Sequence, residues 1–321
     1  MSRWWAGSYG PDLEGTSHGI AILDSRADGS LQYRGLVVES DSPSYLVEGN
    51  GHVYAANEAH ELVTAFRRDS DSLVAVSTSH SGGALPCHLA LIDGALVVAN
   101  YGSGTVGLVE VRPDGSLGGL RETLPSPAAG AHAHASLLVG DVLLTADLGA
   151  DLVLVHEVAG QRVTRTGEVP LTSGTGPRDL ALQPEGLVYV LGELDGTVSV
   201  LQTSDGMPRV VASVGLPGFV AGDHAAAISF GPGGYLYAGL RGSNRISILH
   251  ADADGLTLAG VGWVSCEGDW PRHLTVDGDV LHVANQKSNT AASFRVDGDG
   301  IPRLIREPEG IASPTFLLKA L

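Results

Sequence analysis

The chain repeats one pattern of apolar and polar positions, a short run of β-branched or other apolar residues that ends in a small residue followed by a polar one. A representative copy is the segment 96–100, Leu-Val-Val-Ala-Asn. Apolar runs of this length, with no sustained 3.6-residue period around them, predict buried β-strands and no helix. The other copies lie at residues 4–8, 53–57, 143–147, 189–193, 237–241 and 281–285.

The last residues of successive copies are 43 to 49 positions apart. Each interval has room for a strand before the run, a strand after it and a closing hairpin with an Asp-Gly turn, which is a strong hairpin signal. Such turns stand at 28–29, 114–115, 205–206, 254–255 and 299–300. A repeat of this length is typical of propeller blades. We therefore predict an all-β, seven-bladed β-propeller of four-stranded antiparallel blades, formed as a single domain by residues 1–321.

The two ends of the sequence complement one another. The segment 313–318, Ser-Pro-Thr-Phe-Leu-Leu, resembles 42–47, Ser-Pro-Ser-Tyr-Leu-Val, which is predicted to be the first strand of a blade. The N-terminal copy at 4–8 is preceded by no such strand. We expect the C-terminal segment to supply the innermost strand beside residues 3–8, because this closes the ring and removes two free sheet edges.

Composition and charge limit the partners of the protein. The 321 residues include 36 acidic and 19 basic ones, a formal net charge of −17, which disfavours binding to nucleic acid or anionic lipid. No apolar run approaches the roughly 18–20 residues that span a bilayer, and residues 1–7 lack the basic and apolar segments of a signal peptide. We expect a cytoplasmic protein, a monomer or a weak homodimer, with no nucleic-acid or membrane partner.

Polar residues are predicted to converge on one mouth of the central channel, because the start of the first strand and the end of the second share one face of a propeller. Counting back from the end of each run places His134, Arg178 and Arg272 at one equivalent position in three blades. Slightly ahead of this position, nearer the rim, stand His132 and His224. The polar residues at the ends of the second strands are Asn57, Asn100, Asp147, Glu193, Arg241 and Asn285.

This set of residue types indicates binding of a small, oxygen-rich anion. Arg178, Arg241 and Arg272 offer planar donors for carboxylate or phosphate, and His134 and Glu193 are groups that can move a proton near neutral pH. Structural alternatives stay open, because polar strand ends often satisfy backbone groups and Glu193 could form only an ion pair. Cys87 shares the position of His134 but has no adjacent base, which argues against a nucleophilic role.

Several segments, in this order along the chain, resemble one known family. They are 99–106 (Ala-Asn-Tyr-Gly-Ser-Gly-Thr-Val), 132–134 (His-Ala-His), 147–151, 176–178 (Gly-Pro-Arg), 193–198, 241–246 and 271–273. Together they resemble the propeller lactonases, which include bacterial 6-phosphogluconolactonases of the cycloisomerase type and fungal carboxymuconate-lactonizing enzymes. The resemblance implies a seven-bladed propeller with an axial cleft. Many members have His after the Arg of Gly-Pro-Arg, whereas this chain has Asp179.

The resemblance implies a lactonase, a carboxylic ester hydrolase that acts on a small anionic sugar lactone, with 6-phosphogluconolactone the leading candidate. It places the catalytic residues at His134, with His132 as the second choice, and at Arg178, Glu193 and Arg241. The residues expected to bind the substrate are Arg272, His132, Asn100, Asn57, Asp147, Asn285 and His224. No metal and no organic cofactor is expected.

Three alternatives remain from the sequence. A muconate-type lactonizing cycloisomerase would use the same arginines for carboxylates. A calcium-dependent lactonase would use oxygen ligands from Glu193, Asp147, Asn100 and Asn57, although the neighbouring arginines disfavour a dication. A non-enzymatic propeller scaffold would bind a protein partner, although it would not need the cluster of Arg, His and Glu at the channel.

Overall fold

The computed structural model describes residues 2–183, 186–204 and 206–321. These residues form seven antiparallel sheets of four strands each, with one short additional strand, arranged as blades around a central axis. The prediction of a seven-bladed propeller is thereby confirmed. Asp205, in the predicted turn at 205–206, lies outside the described residues.

The strands are numbered in chain order and given from the axis outward in each blade. Blades 1 to 3 contain β29 (Pro314–Lys319), β1 (Arg3–Ser8), β2 (Gly19–Ser25) and β3 (Leu31–Glu39); β4 (Pro43–Gly49), β5 (His52–Asn57), β6 (Leu62–Asp69) and β7 (Ser72–His80); and β8 (Pro86–Ile92), β9 (Ala95–Asn100), β10 (Thr105–Val111) and β11 (Leu117–Pro125). Blades 4 and 5 contain β12 (Ala133–Val139), β13 (Val142–Asp147), β14 (Leu152–Ala159) and β15 (Arg162–Pro170); and β16 (Pro177–Leu182), β17 (Val188–Gly192), β18 (Thr197–Gln202) and β19 (Arg209–Gly215).

Blades 6 and 7 contain β20 (His224–Phe230), β21 (Tyr235–Arg241), β22 (Arg245–Ala251) and β23 (Leu258–Ser265); and β24 (Pro271–Asp277), β25 (Val280–Asn285), β26 (Thr290–Val296) and β27 (Pro302–Leu304), with β28 (Glu309–Gly310) pairing beside β26. Three short 3₁₀ helices occupy Pro11–Leu13, Glu58–His60 and Pro232–Gly234. None of the helices in the described part of the chain is long and apolar enough to cross a membrane.

The core lies between the blades, which explains the continuous apolar runs of the second strands. Every residue of β5, β9 and β25 is buried, because a neighbouring blade covers each face of the sheet. Tyr54 of β5 and Val98 of β9, for example, belong to one cluster shared by blades 2 and 3. The outermost strands are mostly exposed, with few buried residues, because they lie at the solvated edge of each blade.

Asp-Gly turns attach the outer edges of some blades to their neighbours. In the turn at 114–115 Asp114 Oδ1 accepts a hydrogen bond from Ser116 N at 3.0 Å, and Gly115 has φ 82°. The Gly115 carbonyl accepts a hydrogen bond from the hydroxyl of Tyr54 in the preceding blade at 2.9 Å. The same contact joins Tyr189 to Gly255 and Tyr237 to Gly300. These turns therefore hold blade to blade as well as strand to strand.

The C-terminal strand closes the ring as predicted. β29 pairs antiparallel with β1, with Trp4 opposite Lys319 and Ala6 opposite Leu317. It also contacts the innermost strands of both neighbouring blades, β4 and β24. Blade 1 is thus built from both ends of the described chain.

A β-bulge near the start of the innermost strands aims side chains at the axis. In β12, Ala133 lies opposite Asp147 and Ala135 opposite Ala146, which leaves His134 without a strand partner. A bulge of this kind redirects the extra side chain. In the described strands the equivalent residues are Ser44, Cys87, Arg178, Arg272 and Thr315, and in β20 the irregularity includes Ala226. We call these seven residues the bulge ring.

Candidate active site

The bulge ring lines a cavity on the axis. The cavity has a volume of about 40 Å³ and is lined by the seven residues of the bulge ring together with residues that follow them in the strands. His134, Arg178 and Arg272 are therefore brought together, as the sequence indicated. Cys87 lies in the same ring, but burial raises the pKa of its thiol, so the thiol stays protonated at neutral pH.

A second ring, which we place at the mouth of the cavity, is formed in six blades by the first residue beyond the second strand and in blade 6 by Arg241, the last residue of β21. In blade 5, Pro177 lies opposite Gly192, which makes Glu193 the first residue beyond β17. In blade 6, Ala225 lies opposite Leu240, which makes Arg241 its equivalent. We call this set the mouth ring, and by the same register it consists of Tyr9, Glu58, Tyr101, Leu148, Glu193, Arg241 and Gln286.

The register corrects the sequence alignment by one position in four blades. Pro43 lies opposite Asn57, so Asn57 is equivalent to Gly192 and not to Glu193. The same holds for Asn100, Asp147 and Asn285. The sequence reasoning therefore missed Tyr9, Glu58, Tyr101 and Gln286, which the rule "one residue beyond the strand" would have found.

The four displaced residues use their side chains to bond to the segments that connect neighbouring blades. Asn100 Nδ2 donates to the Ser81 carbonyl at 3.1 Å, and Asn285 Nδ2 donates to the Cys266 carbonyl at 2.9 Å. Asp147 Oδ1 accepts from His132 N at 2.8 Å. Asn57 Nδ2 donates to the Asp41 carbonyl at 2.8 Å. These buried groups hold the loops at the ends of the strands, and we leave them outside the proposed substrate contacts.

Glu193 is clamped between two guanidinium groups. Arg178 Nη1 donates to Glu193 Oε2 at 2.5 Å, and Arg241 Nη2 lies 2.9 Å from Oε1 as an ion pair. His224 Nδ1 lies 3.0 Å from the same Oε1. Burial alone would raise the pKa of Glu193, but the two arginines outweigh it and lower the pKa to about 2. Glu193 is therefore a fixed anion that orients the arginines, and its oxygens are not available to hold calcium.

The backbone fixes the other side of both guanidinium groups. Arg178 Nε donates to the Ala226 carbonyl at 2.7 Å, and Arg241 Nε donates to the His224 carbonyl at 3.2 Å. Burial, and then the charge of Arg178, lowers the pKa of Arg241 to about 9, so both groups are cationic near neutral pH. Among the described residues no group accepts an aligned hydrogen bond from Arg241 Nη2. The site thus presents rigid cationic donors with bonding capacity for a substrate.

Arg272 is held by a second acidic group on the opposite side of the mouth ring. Its Nη2 donates to the Tyr9 hydroxyl and lies 3.9 Å from Glu58 Oε2, and its guanidinium carbon lies 4.5 Å from the centre of the Tyr9 ring. Tyr9 in turn donates to Glu58 Oε1 at 2.8 Å. The bulge ring and the mouth ring together therefore contain three arginines and two carboxylates, Glu58 and Glu193.

His134 lies between these cations. Burial, and next the charges of Arg178 and Arg272, lower the pKa of His134 well below 6.5, so the imidazole is neutral at pH 7. Its Nδ1 is buried and has no hydrogen-bond partner in the described part of the chain. The edge of the ring faces Tyr101, with 5.9 Å between ring centres. His134 is a neutral base with one nitrogen still to be satisfied.

His132 lies outside the cavity wall. Its ring stacks on Tyr101 with 4.5 Å between centres, and its Nδ1 lies 2.8 Å from the Tyr101 carbonyl. This geometry favours His134 over His132 as the catalytic histidine. His132 instead positions Tyr101, a member of the mouth ring.

The mouth itself is partly covered by Trp270. The guanidinium carbon of Arg241 lies 5.4 Å from the centre of its ring, and Lys287 Nζ lies 3.3 Å from it. The ring of His224 lies 6.4 Å away, with a side chain that is 42% exposed. His224 and Lys287 therefore lie with Trp270 beside Arg241.

One cluster with metal-ligand chemistry lies away from the cavity. Asp12, Asp41 and His60 have ligand atoms within 4.8 Å of one another. All three are exposed on an acidic surface, where such clusters are common, and we assign no metal to them.

The comparisons with known proteins agree with this architecture. Residues 3–316 match the family model "Lactonase, 7-bladed beta-propeller". The chain belongs to this family of seven-bladed propeller lactonases.

Relatives within and near the family extend over most of the chain. A 6-phosphogluconolactonase of Bacillus subtilis (strain 168) is 26% identical over 340 aligned positions, which cover 97% of this chain and 96% of the relative. An uncharacterized protein of Lactococcus lactis subsp. cremoris is 30% identical over 86% of this chain and 87% of its own length. The structure of the periplasmic gluconolactonase PpgL of Pseudomonas aeruginosa is similar with a TM-score of 0.90 and 27% identity, covering 100% and 99% of the two chains.

Proposed function

We propose that this lactonase hydrolyses the ester bond of a small anionic sugar lactone, with 6-phosphogluconolactone as the first candidate. The observation that carries the proposal is the convergence of Arg178 and Arg272 with a neutral His134 around one cavity, with Arg241 paired to the same carboxylate as Arg178. A relative named 6-phosphogluconolactonase, aligned over nearly the whole chain, supports the choice of lactone.

His134 is the proposed general base. It takes a proton from water as the water oxygen attacks the lactone carbonyl carbon, and the carbonyl oxygen becomes an oxyanion. The tetrahedral intermediate then collapses, the bond from carbon to ring oxygen breaks, and the imidazolium returns the proton to the ring oxygen. The product is the open hydroxy acid, with one water added and no other reactant.

The arginines are proposed to act on the charge that develops in this reaction. Arg241 and Arg178, both held against Glu193, are placed to stabilise the oxyanion, a contribution typically worth about 3–4 kcal/mol per donor. Arg272 is placed to bind the anionic substituent of the substrate. That anion would also offset the positive field that keeps the pKa of His134 low, so substrate binding would strengthen the base.

Glu193 has a different proposed role from that of a base. Its carboxylate is already bound by Arg178 and Arg241, and a carboxyl group with a pKa of about 2 accepts a proton from water poorly. We infer that it fixes the planes of the two guanidinium groups.

A hydrolysis panel tests the proposal. Freshly prepared 6-phosphogluconolactone, glucono-δ-lactone and a muconolactone are compared by release of acid, with the uncatalysed rate subtracted. We expect kcat/KM to be highest for a sugar lactone. Preferred turnover of the muconolactone would instead support the lactonizing cycloisomerase, and inactivity on every lactone would favour a binding scaffold.

The cytoplasmic location is part of the same proposal. A phosphorylated sugar lactone is an intracellular type of substrate because it is charged and does not cross membranes freely, whereas the similar PpgL structure is of a periplasmic protein. Cell fractionation of the native host with an antibody against the protein distinguishes the two compartments.

A further inference from the structure

A second set of side chains, four polar and one aromatic apolar, lies deeper in the cavity, one residue further along the innermost strands from the bulge ring. It comprises Tyr45, His88, Asp179, His273 and Phe316, all of which line the cavity. We call this set the deep tier. The mechanism above uses none of its members, and they extend away from the mouth.

One wall of the deep tier consists of aromatic and imidazole rings that pack against one another. The centres of the Tyr45 and Phe316 rings are 4.0 Å apart, those of Tyr45 and His88 are 4.2 Å apart, and those of His273 and Phe316 are 4.1 Å apart. Neighbouring blades supply these four rings. At these separations each ring packs against its neighbour, which fixes the positions of Tyr45 and of the two imidazoles.

The two imidazoles in this wall have a fixed tautomer. Ser136 N donates to His88 Nδ1 at 3.3 Å, and Leu317 N donates to His273 Nδ1 at 3.2 Å. Burial lowers the pKa of both rings to about 3, so they are neutral and carry their proton on Nε2. In the described residues neither Nε2–H has an acceptor, and both residues line the cavity. They are therefore hydrogen-bond donors to whatever occupies it.

The opposite wall supplies an acceptor. Asp179 Oδ1 accepts from Leu180 N at 2.9 Å and Oδ2 accepts from Ile228 N at 3.0 Å. These two bonds fix the plane of the carboxylate and leave lone pairs on both oxygens. Tyr45 adds a hydroxyl, which can donate or accept. The deep tier thus combines fixed donors, one fixed acceptor and a wall of rings around a single space.

We propose that the deep tier is the subsite for the hydroxyl groups of the lactone, and that it selects polyhydroxylated lactones over lactones without hydroxyl groups. The inference rests on the proposed function and names the substrate class of that site. A carboxylate such as Asp179 accepts hydrogen bonds from vicinal hydroxyls, whereas it repels a substrate carboxylate placed there. A cavity of about 40 Å³ has room for a few groups of the size of water, which is the size of hydroxyl groups.

The test compares two neutral lactones that differ in their hydroxyl groups, glucono-δ-lactone and δ-valerolactone. Tyr45→Phe removes one hydroxyl and keeps the ring packing, and Asp179→Asn removes the charge at nearly constant volume. We expect each variant to lower kcat/KM for glucono-δ-lactone by about tenfold, the effect of one hydrogen bond, and to change kcat/KM for δ-valerolactone by less than about threefold.

Tyr54→Phe is the matched control, because it deletes a buried hydroxyl that bonds to Gly115 far from the cavity. It should leave the ratio of the two kcat/KM values unchanged. Equal losses on both lactones in the two deep-tier variants, or no loss on either, would overturn the proposal, and Tyr45→Phe decides the matter if Asp179→Asn does not fold.

Failure of the proposed function is recognised separately. If the wild-type protein hydrolyses neither lactone, the lactonase proposal fails, and binding of gluconate is measured by calorimetry instead. Binding weakened about tenfold by Tyr45→Phe would support a hydroxyl subsite without catalysis. Equal binding by wild type and variant, or no binding by either, would overturn the deep-tier proposal.

Discussion

The buried ion pairs of Glu193 determine how single residues of the site can be changed. Arg178, Glu193 and Arg241 are each less than a tenth exposed, so the attraction between them is weakly screened by solvent. Removing one partner leaves an imperfectly compensated charge in the interior, at a cost of about 3–5 kcal/mol. A substitution here therefore changes stability as well as chemistry, and the two effects must be measured apart.

Arg178→Ala is expected to lower kcat/KM on the preferred lactone by about 10²-fold or more, because it removes a fixed cationic donor from the site. It should also lower the free energy of unfolding by several kcal/mol. Arg178→Lys should restore much of the stability but little of the activity, since an ammonium cannot bond to Glu193 and Ala226 together in the same plane. Urea unfolding and steady-state kinetics on the same preparations provide the two measurements.

Arg303→Ala is the control, at an arginine whose side chain is 51% exposed and pairs only with surface aspartates. It should change neither quantity measurably. Full activity of Arg178→Ala in a folded state would show that Arg178 is not part of the site.

The acid limb of the activity profile reports on His134. Because its pKa is held well below 6.5, the free enzyme should keep its base unprotonated as the pH falls through 6.5. We expect kcat/KM for glucono-δ-lactone to change less than about twofold between pH 7.5 and 5.5. A titration centred near 6.5 would indicate that a solvated histidine, such as one at the rim, is the base.

Also at the scale of residues, the sequence could predict which residue types come together in the site but not the strand register in every blade. The bulge ring was found correctly for His134, Arg178 and Arg272, because the count back from the marker run crosses strands of nearly constant length. The prediction for the mouth ring was wrong by one position in four blades. The repeated apolar run ends at Asn57 inside a six-residue strand, but it ends at Glu193 just beyond a five-residue strand. Small-then-polar pairs look alike in sequence whether the polar residue closes the strand or follows it.

At the scale of elements, the bulges position the side chains of the site and the Asp-Gly turns hold neighbouring blades together. Proline precedes the bulged residue in β4, β8, β16, β24 and β29, where it lacks an N–H to pair and so begins the strand without cost to the ladder. Turns such as 114–115 hold the outer ends. Hairpins were predictable because Asp-Gly has a local cause, whereas the contact of Tyr54 with Gly115 joins two blades and leaves no signal in either repeat alone.

Gly115→Ala tests this attachment. Gly115 has φ 82°, where an L residue is strained, and an added Cβ would lie 2.2 Å from the His52 ring of the neighbouring blade. We expect the free energy of unfolding to fall by about 2 kcal/mol or more. Gly119→Ala, where a Cβ has nothing within 4 Å, should change it by less than about 0.5 kcal/mol, and similar losses in both variants would contradict the packing described.

At the scale of the whole molecule, folding holds many histidines neutral in the interior. Burial lowers the pKa of His88 and His273 to about 3 and that of His156 and His282 to about 4, and His134 behaves likewise. In the unfolded chain these groups titrate near 6.5. Below that pH the unfolded state binds protons that the folded state does not bind, so the free energy of unfolding falls as the pH falls.

We therefore expect the urea concentration at the unfolding midpoint to decline as the pH falls from about 6.5 toward 4. Each such histidine lowers the free energy of unfolding by up to about 1.4 kcal/mol per pH unit in this range. His156→Gln should reduce the slope of the unfolding free energy against pH by the contribution of about one proton. His80→Gln, at an exposed side chain, should leave that slope unchanged. A midpoint that stays constant down to pH 4.5 would show that the buried rings are charged or that the fold opens around them.

The pairing of β1 with β29 also determines how the molecule responds to mechanical force. Trp4 lies opposite Lys319 and Ala320 N donates to the Arg3 carbonyl at 2.9 Å, so both strands leave the sheet at the same outer end. A pull that separates them loads these cross-strand hydrogen bonds one after another, as in unzipping, and not all together, as in shear. The ring should therefore open at low force between β1 and β29. Immobilising the protein on a surface by both chain ends would weaken it, whereas immobilising it by one end would not.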